Sequence, residues 1–289
     1  MLPVSGTGER AAAPSNRMAL RTCLNRLEYC FRWLWIALAT ITSILYVETR
    51  TILAPRRIRP ELYARHAGLW GKLFLAGIRC RLEGAHHIPR DMAVLFASNH
   101  QSFFDIPLFH ALMPVTFRWM SKSAFFSWPF IGWALRNMKA IRVDPGSPAG
   151  ARRSWQEAVE TLKAGHNLVI FPEGTWGDRE GRMLPFQKGV IRIAREASVP
   201  VVPITIVGSN RVNPPRTKEI HPGTIRMIVH PPMGPDTWRD ISDDEWLGRL
   251  RDCIAESLEL GAAPADTVRC AGAAALRRQT QPNAPRGEN

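Results

Sequence analysis

Two short polar segments hold the residues of this sequence whose types and spacing could carry out chemistry. One runs from residue 99 to 105 and contains His100 and Asp105, and the other runs from 171 to 175 and contains Glu173. Each follows a short apolar run that is typical of a buried strand. Because ligands and catalytic groups gather at strand ends in open α/β sheets, these three side chains are candidates for one site.

His100 and Asp105 have the chemistry of a general base and the group that orients it. A neutral imidazole accepts a proton from an alcohol near neutral pH, because its unperturbed pKa of about 6.5 lies close by. A carboxylate beside it fixes the tautomer and stabilises the imidazolium that forms. Five residues turn an ideal helix by about 500°, so the pair would not share one helical face. We therefore expect His100 in a strand-to-helix loop and Asp105 near the helix start, with helix capping as the alternative role for Asp105.

A second copy of the His-x4-Asp spacing occurs at His86 and Asp91. It lies among Gly, Pro and charged residues, which are typical of a surface loop. The copy at His100 differs because a predicted strand precedes it and a predicted helix follows it. We expect only the pair at His100 to be catalytic.

The elements that must position these residues alternate between strands and helices. Such alternation predicts an α/β fold, a single domain with a mixed, mostly parallel sheet flanked by helices. The candidate strands are 94–97, 117–120, 140–143, 168–171, 201–207 and 225–229. The candidate helices are 105–112, 130–137, 149–164, 189–197 and 243–260.

Composition divides the chain into four parts. Residues 1–16 are rich in Gly, Ala, Pro and Ser and are predicted to be disordered, as is the Ala-, Pro- and Arg-rich tail 262–289. Residues 17–80 are predicted to be a membrane-associated helical segment. Residues 81–261 form the predicted catalytic domain.

The two polar segments together resemble the glycerolipid acyltransferase family, whose best-known branch is 1-acylglycerol-3-phosphate acyltransferase. The segments are Asn-His-x4-Asp at 99–105 and Phe-Pro-Glu-Gly-Thr at 171–175, and 73 residues separate His100 from Glu173, as in that family. A third similar segment is 199–208. The resemblance covers about half of the chain and implies a membrane-bound acyltransferase domain.

The resemblance also implies which residues bind the acceptor. It assigns catalysis to His100 and Asp105, and acceptor binding to Glu173, Gly174 and Thr175. Gly174 would let the backbone approach the ligand, which a side chain would prevent. The alternative for Glu173 is a solvated side chain in an ordinary turn after a strand.

A phosphate on the acceptor would need cations. Lys122 resembles a family position near the phosphate, and Lys188 also fits the family pattern. Arg142 is a further candidate, with a solvated surface position as its alternative. The sequence departs from the pattern at Trp176, where phosphatidate-forming members commonly carry Arg, and the segment around Arg142 lacks the family's usual Gly, Phe and closing Arg. The residues at 176–178 resemble members that acylate other lysolipids, including lyso-ornithine lipids.

An uncharged run of 15 residues, Trp33 to Val47, lies between basic flanks. A helix crossing a bilayer needs about 20 residues, so this run is short for that purpose. Basic flanks on both sides favour a segment that enters and returns on the cytoplasmic side, paired with the apolar stretch 69–78 as a helical hairpin. A single crossing helix and a soluble core helix are the alternatives.

A net charge of +13 suits an anionic partner. The five cysteines are scattered without a Cys-x2-Cys pair, so no zinc site is predicted. No nucleic-acid motif occurs, and we expect no nucleic-acid partner. No Gly-x-Ser-x-Gly segment occurs either, which disfavours a serine hydrolase.

We therefore expect an O-acyltransferase of phospholipid biosynthesis. It would move an acyl group from acyl-CoA or acyl-carrier protein to a lysolipid hydroxyl, first of all that of 1-acylglycerol-3-phosphate, without a cofactor or metal. Its expected partners are the lysolipid, the acyl donor and an anionic membrane surface, and its expected place is the inner membrane with the catalytic domain facing the cytoplasm. The alternatives are another acceptor such as lyso-ornithine lipid and a basic membrane-surface binding protein without catalysis.

Overall fold

The structure is a computed structural model that describes residues 16–259 apart from 53, 56, 57, 145, 179 and 180. Of the ends predicted to be disordered, 1–16 and 262–289, residues 1–15 and 262–289 lie outside the described residues, whereas Asn16 is the first residue of a helix. In chain order the helices are α1 (Asn16–Ile52), α2 (Arg59–Phe74), α3 (Asp105–Leu112), α4 (Ile131–Asn137), α5 (Pro148–Lys163), α6 (Gly189–Ala197), α7 (Ser209–Val212) and α8 (Asp243–Glu259). The strands are β1 (Arg79–Glu83), β2 (Leu95–Ser98), β3 (Arg118–Lys122), β4 (Ile141–Val143), β5 (Leu168–Ile170), β6 (Val201–Val207) and β7 (Thr224–Val229), and short 3₁₀ turns occur at Ala85–His87, Ser123–Ser127 and Pro235–Thr237.

The seven strands form one mixed sheet in the order β1-β7-β6-β2-β5-β3-β4. β6 and β7 pair antiparallel, and the other neighbours pair parallel. The predicted α/β class with a mostly parallel sheet is therefore confirmed. The predicted strands and helices in this domain all occur, and their ends differ from the prediction by at most two residues.

Both faces of the sheet are covered, which explains why its central strands are continuously apolar. Phe96 of β2 packs into one core together with Leu108 of α3. Its neighbour Leu95 points to the opposite face and packs with Trp246 of α8. Because successive side chains of a strand alternate between faces, β2 links the two cores directly.

α1 and α2 form an antiparallel hairpin ahead of the sheet. The Trp35 indole N–H donates to the Leu73 carbonyl at 2.8 Å, and the Trp70 indole N–H donates to the Thr40 hydroxyl at 3.0 Å. Higher numbers on α1 meet lower numbers on α2, which defines the antiparallel order. By length and composition alone, the α1 section Leu27–Thr51 is sufficient to cross a membrane. The predicted helical hairpin is present, and its position in a membrane remains a prediction.

α2 in turn lies against α3, the helix that begins with Asp105. A Cβ added to Gly71 would lie 2.5 Å from the Pro107 carbonyl oxygen and 2.8 Å from the Ala111 nitrogen. Glycine is therefore required for the two backbones to come this close. The hairpin therefore holds α3, the helix that begins with Asp105.

Candidate active site

The two polar segments leave the sheet side by side. β2 and β5 are parallel neighbours, with Leu95 opposite Leu168 and Ala97 opposite Ile170. The chain after each strand therefore emerges at the same edge of the sheet. His100 and Glu173, which are far apart in sequence, meet there because of this pairing.

Asn99 attaches the first segment to β6 on the other side of β2. Its side-chain amide donates to the Ile206 carbonyl at 2.9 Å and accepts from the Ile206 N–H at 2.7 Å. Asn99 is fully buried, and the two bonds replace the ladder contact that β2 no longer makes after Ser98. The loop that carries His100 therefore starts from a fixed point.

His100 and Asp105 are in direct contact. The His100 Nδ1 atom lies 2.9 Å from the Asp105 Oδ2 atom. Asp105 is fully buried, whereas 13% of the His100 side chain is exposed. The geometry assigns the proton to Nδ1 and leaves Nε2, which has no hydrogen bond within the described chain, as the nitrogen that can accept a proton.

The same Asp105 oxygen accepts two backbone N–H bonds from the turn before it. These come from Gln101 at 2.8 Å and Ser102 at 2.9 Å. Asp105 is the first residue of α3, and its carboxylate folds back over the turn. The turn and the imidazole therefore share one acceptor, and Asp105 does not act as a conventional cap of α3.

Glu173 is buried and supports the backbone on both sides of the site. Its Oε1 atom accepts the His100 N–H at 2.7 Å, and its Oε2 atom accepts the Leu184 N–H at 2.7 Å. Both oxygens are thus used by main-chain donors, which links the His100 turn to the loop that follows β5. Glu173 therefore holds two backbone segments together, and its expected contact with an acceptor remains a prediction.

Burial raises the pKa of Glu173 to about 7. The two backbone N–H bonds from His100 and Leu184 lower the pKa and so oppose this effect, whereas the nearby Asp105 raises it. Near neutral pH the carboxyl group therefore changes its charge while it holds the backbone of the candidate base.

Aromatic rings enclose the imidazole. The Phe171 ring stacks on His100 with centroids 3.9 Å apart and planes within 9°. Trp176 meets His100 edge-on with ring centroids 6.0 Å apart, and Trp119 stacks on Phe171 with centroids 5.6 Å apart. Trp176 is therefore a wall of the site.

Gly174 and Thr175 form the exposed tip of the turn after β5. Gly174 has a φ of +69°, and a Cβ at this position would lie 2.6 Å from the Gln187 side-chain nitrogen. The positive φ therefore favours glycine here, and a larger residue would also displace the end of the flexible Gln187 side chain. Thr175 is exposed next to Trp176, where a ligand could reach it.

Lys122 and Arg142 lie at the same edge of the sheet but farther from His100. Lys122 ends β3 and is exposed, two strands or about 10 Å from β2. Arg142 is on the edge strand β4, and its guanidinium lies over the Phe126 ring at 4.9 Å. The structure does not bring either cation into contact with the pair of His100 and Asp105.

Lys188 makes an ion pair with Asp244 of α8, with Nζ and Oδ2 2.7 Å apart. Its side chain is 46% exposed and directed to the start of α8. The unfavourable position of a cation at the start of α6 is thus explained by a carboxylate partner. The expected ligand role of Lys188 remains a prediction without a contact to the site.

Sequence reasoning missed several supports of the site. Ser102 bonds to Asn213, the Gln101 side chain donates to the Gly181 carbonyl at 2.7 Å, and Leu184 closes the contact with Glu173. The one available signal was a set of uncharged polar residues directly after an apolar strand. Their partners are remote in sequence and follow no spacing rule.

The second His-x4-Asp copy shows no such arrangement. His86 lies in the 3₁₀ turn before β2, and its ring packs on that of His87 with centroids 4.1 Å apart. Among the residues that the structure describes, no group of three or more His, Cys, Asp or Glu side chains comes together as a metal site.

The sequence and the fold of the chain are similar to those of known acyltransferases. Residues 79–207, from β1 to the end of β6, match the family model described as Acyltransferase. The crystal structure of the 1-acyl-sn-glycerophosphate acyltransferase of Thermotoga maritima superimposes with a TM-score of 0.72 at 25% identity, covering 83% of this chain and 96% of that one. Residues 79–207 therefore belong to the acyltransferase family of that model, and the chain shares the fold of the Thermotoga maritima enzyme.

Curated relatives in the glycerolipid acyltransferase family include a chloroplast 1-acyl-sn-glycerol-3-phosphate acyltransferase of Brassica napus. It is 33% identical over 71% of this chain and 58% of its own length. The corresponding enzyme of Helicobacter pylori is 29% identical over 55% of this chain and 66% of its own. The chain therefore spans little more than half the length of the first relatives that it matches.

Proposed function

We propose that this protein is an O-acyltransferase that moves an acyl group from a thioester to the free hydroxyl of a lysolipid. The observation that carries the proposal is the 2.9 Å contact between His100 Nδ1 and the buried Asp105 carboxylate at the strand edge. The first candidate acceptor is 1-acylglycerol-3-phosphate, which would give phosphatidate. Relatives named for this acceptor at 27–33% identity support that choice.

The geometry supports direct transfer with His100 as the base. Nε2 takes the proton of the acceptor hydroxyl as its oxygen attacks the thioester carbonyl carbon. Asp105 holds Nδ1–H and stabilises the imidazolium. When the tetrahedral intermediate collapses, the C–S bond breaks and the proton on Nε2 passes to the departing thiolate. The step is balanced without a covalent acyl-enzyme.

The thioester donor is proposed to be acyl-CoA or acyl-carrier protein. The transfer described above needs no redox step, so we propose that the donor is a co-substrate and that no cofactor or metal takes part. The acyl group is carried by the small molecule coenzyme A in one donor and by a protein in the other. Assays with each donor at equal acyl-chain length would distinguish them.

We propose that the protein acts at the inner membrane with the sheet on the cytoplasmic side. Its α1 helix is apolar and long enough for membrane association. The net charge of +13 favours an anionic lipid surface. The hairpin would keep the catalytic turn near the surface where lysolipids reside.

A second acceptor class is favoured by Trp176. Its indole ring, not a guanidinium, lies beside His100. An aromatic wall suits a lysolipid without a phosphate monoester, such as lyso-ornithine lipid, because it offers no charge to bind phosphate.

A basic surface-binding protein without catalysis would not need a buried carboxylate paired with a histidine.

Replacement of His100 by Ala tests the proposed function. We expect kcat to fall by about 10³-fold, in the range of lost general-base catalysis, with acyl transfer measured by mass spectrometry over a panel of lysolipids. The matched control is His86→Ala, which removes the histidine of the second His-x4-Asp copy and should leave transfer unchanged. Transfer by His100→Ala at the wild-type rate would overturn the assignment of the base.

A further inference from the structure

The hydroxyl group of Ser102 lies inside the turn that carries His100 and Asp105. Ser102 is fully buried, and its hydroxyl donates to the Asn213 side-chain oxygen at 3.0 Å. The Ser102 hydroxyl oxygen also accepts the Phe104 N–H at 3.1 Å. The Ser102 proton is therefore directed to Asn213, and the hydroxyl joins the turn to a distant part of the chain.

Asn213 follows α7, the short helix after β6, and is buried with 3% exposed surface. Its backbone N–H donates to the Ser209 carbonyl at 2.8 Å, and its side-chain NH₂ donates to the Glu219 carbonyl at 2.8 Å. The loop it closes is also held by α1, because the Trp33 indole N–H donates to the Lys218 carbonyl at 2.7 Å. Asn213 thus presents its oxygen to Ser102 from a fixed support.

The carboxylate of Asp105 depends on this turn for its orientation. Its Oδ2 atom accepts bonds from Ser102, Gln101 and His100, whereas its buried Oδ1 atom has no hydrogen-bond partner among the described residues. Two of the three bonds come from the backbone beside the Ser102 hydroxyl. A shift of the turn would therefore move the carboxylate and the imidazole that it holds.

We propose that Asn213 is a positioning residue, which holds the turn of His100 and Asp105 in its reactive geometry through the Ser102 hydroxyl. The inference rests on the proposed function, since it names a further residue on which the same proton transfer depends. Asn213 touches no reacting atom in this arrangement. Its effect is on the geometry of the base, so it should alter the chemical step more than substrate binding.

The test compares Asn213→Ala, Ser102→Ala and the double variant. Because small misplacements of a base are costly, we expect each single variant to lower kcat about 10- to 100-fold while KM for donor and acceptor stays within about twofold. The double variant should lose no more than the larger single loss, because both changes break one hydrogen bond. Additive losses, or an unchanged kcat in both single variants, would refute the proposal.

Asn167→Ala is the matched control. The Asn167 amide also bridges two backbone groups, the Val94 N–H at 3.0 Å and the Thr116 carbonyl at 2.9 Å, but at the opposite edge of the sheet. It should lower Tm and leave kcat unchanged. If Asn213→Ala does not fold, Ser102→Ala tests the same bond from its other end, since it removes only a hydroxyl group.

A measurement without substrate separates this inference from the proposed function. We expect the proton between His100 and Asp105 to give a downfield NMR signal that broadens or moves in Asn213→Ala and stays unchanged in Asn167→Ala. An absence of acyl transfer by the wild-type protein would end the proposed function alone. An unchanged signal in Asn213→Ala would end the positioning role alone.

Discussion

Glu173 is a buried carboxylate whose two oxygens are occupied by backbone donors from two loops. Such a group must lose its hydration to make these bonds, which is the reason that its pKa is raised to about 7. How strongly this carboxyl group holds the His100 backbone therefore depends on whether the carboxyl group is ionised. The bonds that it accepts strengthen when it ionises, and its ionisation is opposed by burial.

We expect this carboxyl group to make stability depend on pH. Between the ordinary value of about 4.5 and the raised value of about 7, the folded chain keeps a proton that the unfolded chain has lost. This stability is fully present below about pH 4.5 and is lost as the pH rises through about 7, by up to about 3 kcal/mol. Glu173→Gln should flatten the decline in urea-unfolding free energy measured in detergent micelles.

The control for that experiment is Glu256→Gln, which neutralises an exposed glutamate on α8 and should keep the wild-type decline. A decline of equal steepness in Glu173→Gln would contradict the explanation. Loss of one N–H bond in that variant lowers stability at every pH, so the slope and not the absolute free energy is the relevant measure.

At this scale the sequence predicts the chemistry better than the contacts. The order of strand, His100, Asp105 and helix follows from local propensity, and the pair does form. The bonds of Glu173 to Leu184 and of Ser102 to Asn213 depend on which segments become spatial neighbours. No local pattern contains that information.

At the scale of elements, the contact of α2 with α3 places Asp105 against the sheet. Phe74 of α2 packs edge-on against Phe104, with ring centroids 5.2 Å apart, and Trp70 packs against His110 at 5.8 Å. The two helices can approach this closely because Gly71 has no side chain. The site is therefore supported by a helix that contributes no catalytic group.

We expect Gly71→Ala to destabilise the protein. The new Cβ would meet backbone atoms of Pro107 and Ala111, which cannot swing aside as a side chain can. Overpacking of this kind costs about 1–3 kcal/mol and should lower both Tm and kcat, because α3 carries Asp105. Circular dichroism melting and the acyl-transfer assay measure the two effects.

Gly248→Ala is its control, since a Cβ at this interior position of α8 meets no atom within 4 Å. That change should raise stability by about 0.5–1 kcal/mol, as the helix propensity of Ala predicts. Equal Tm values for Gly71→Ala and the wild type would show that the two helices can separate without loss.

Element types and positions were accessible from hydrophobic runs, whereas β1 was missed. Its sequence, Arg79 to Glu83, has only two apolar residues among charged ones. It is a strand because β7 pairs with it over its full length and because Arg226 of β7 bonds to Glu83 at 2.7 Å. A strand defined by its partner carries little signal of its own.

For the whole molecule, the net charge and the exposed apolar surface of α1 both suit contact with an anionic lipid surface. α1 exposes a row of large apolar side chains spaced by three or four residues, which are Leu27, Phe31, Leu34, Leu38, Ile41 and Leu45. The chain is also strongly basic. Apolar contact and charge respond differently to salt, so the two contributions can be separated.

We expect the protein to stay on anionic vesicles at about 1 M salt, where the screening length falls to about 3 Å. The double variant Leu34→Glu and Leu38→Glu should detach, because it places charges on the apolar row. Lys163→Glu on α5 lowers the net charge equally and should stay bound. Vesicle flotation measures each case, and release of the wild type by salt would contradict apolar anchoring.

The pairing of β1 with β7 also sets the order of events during synthesis. Arg79 lies opposite Thr224, so the β1 edge of the sheet cannot form until β7, near the end of the domain, has been synthesised. Until then the nascent chain contains the α1–α2 hairpin and the β1 segment, but not β7, with which β1 pairs. Completion of the domain is therefore late and slow, as is expected for sheets built on distant contacts. The charged residues of β1 protect it from wrong partners during that interval.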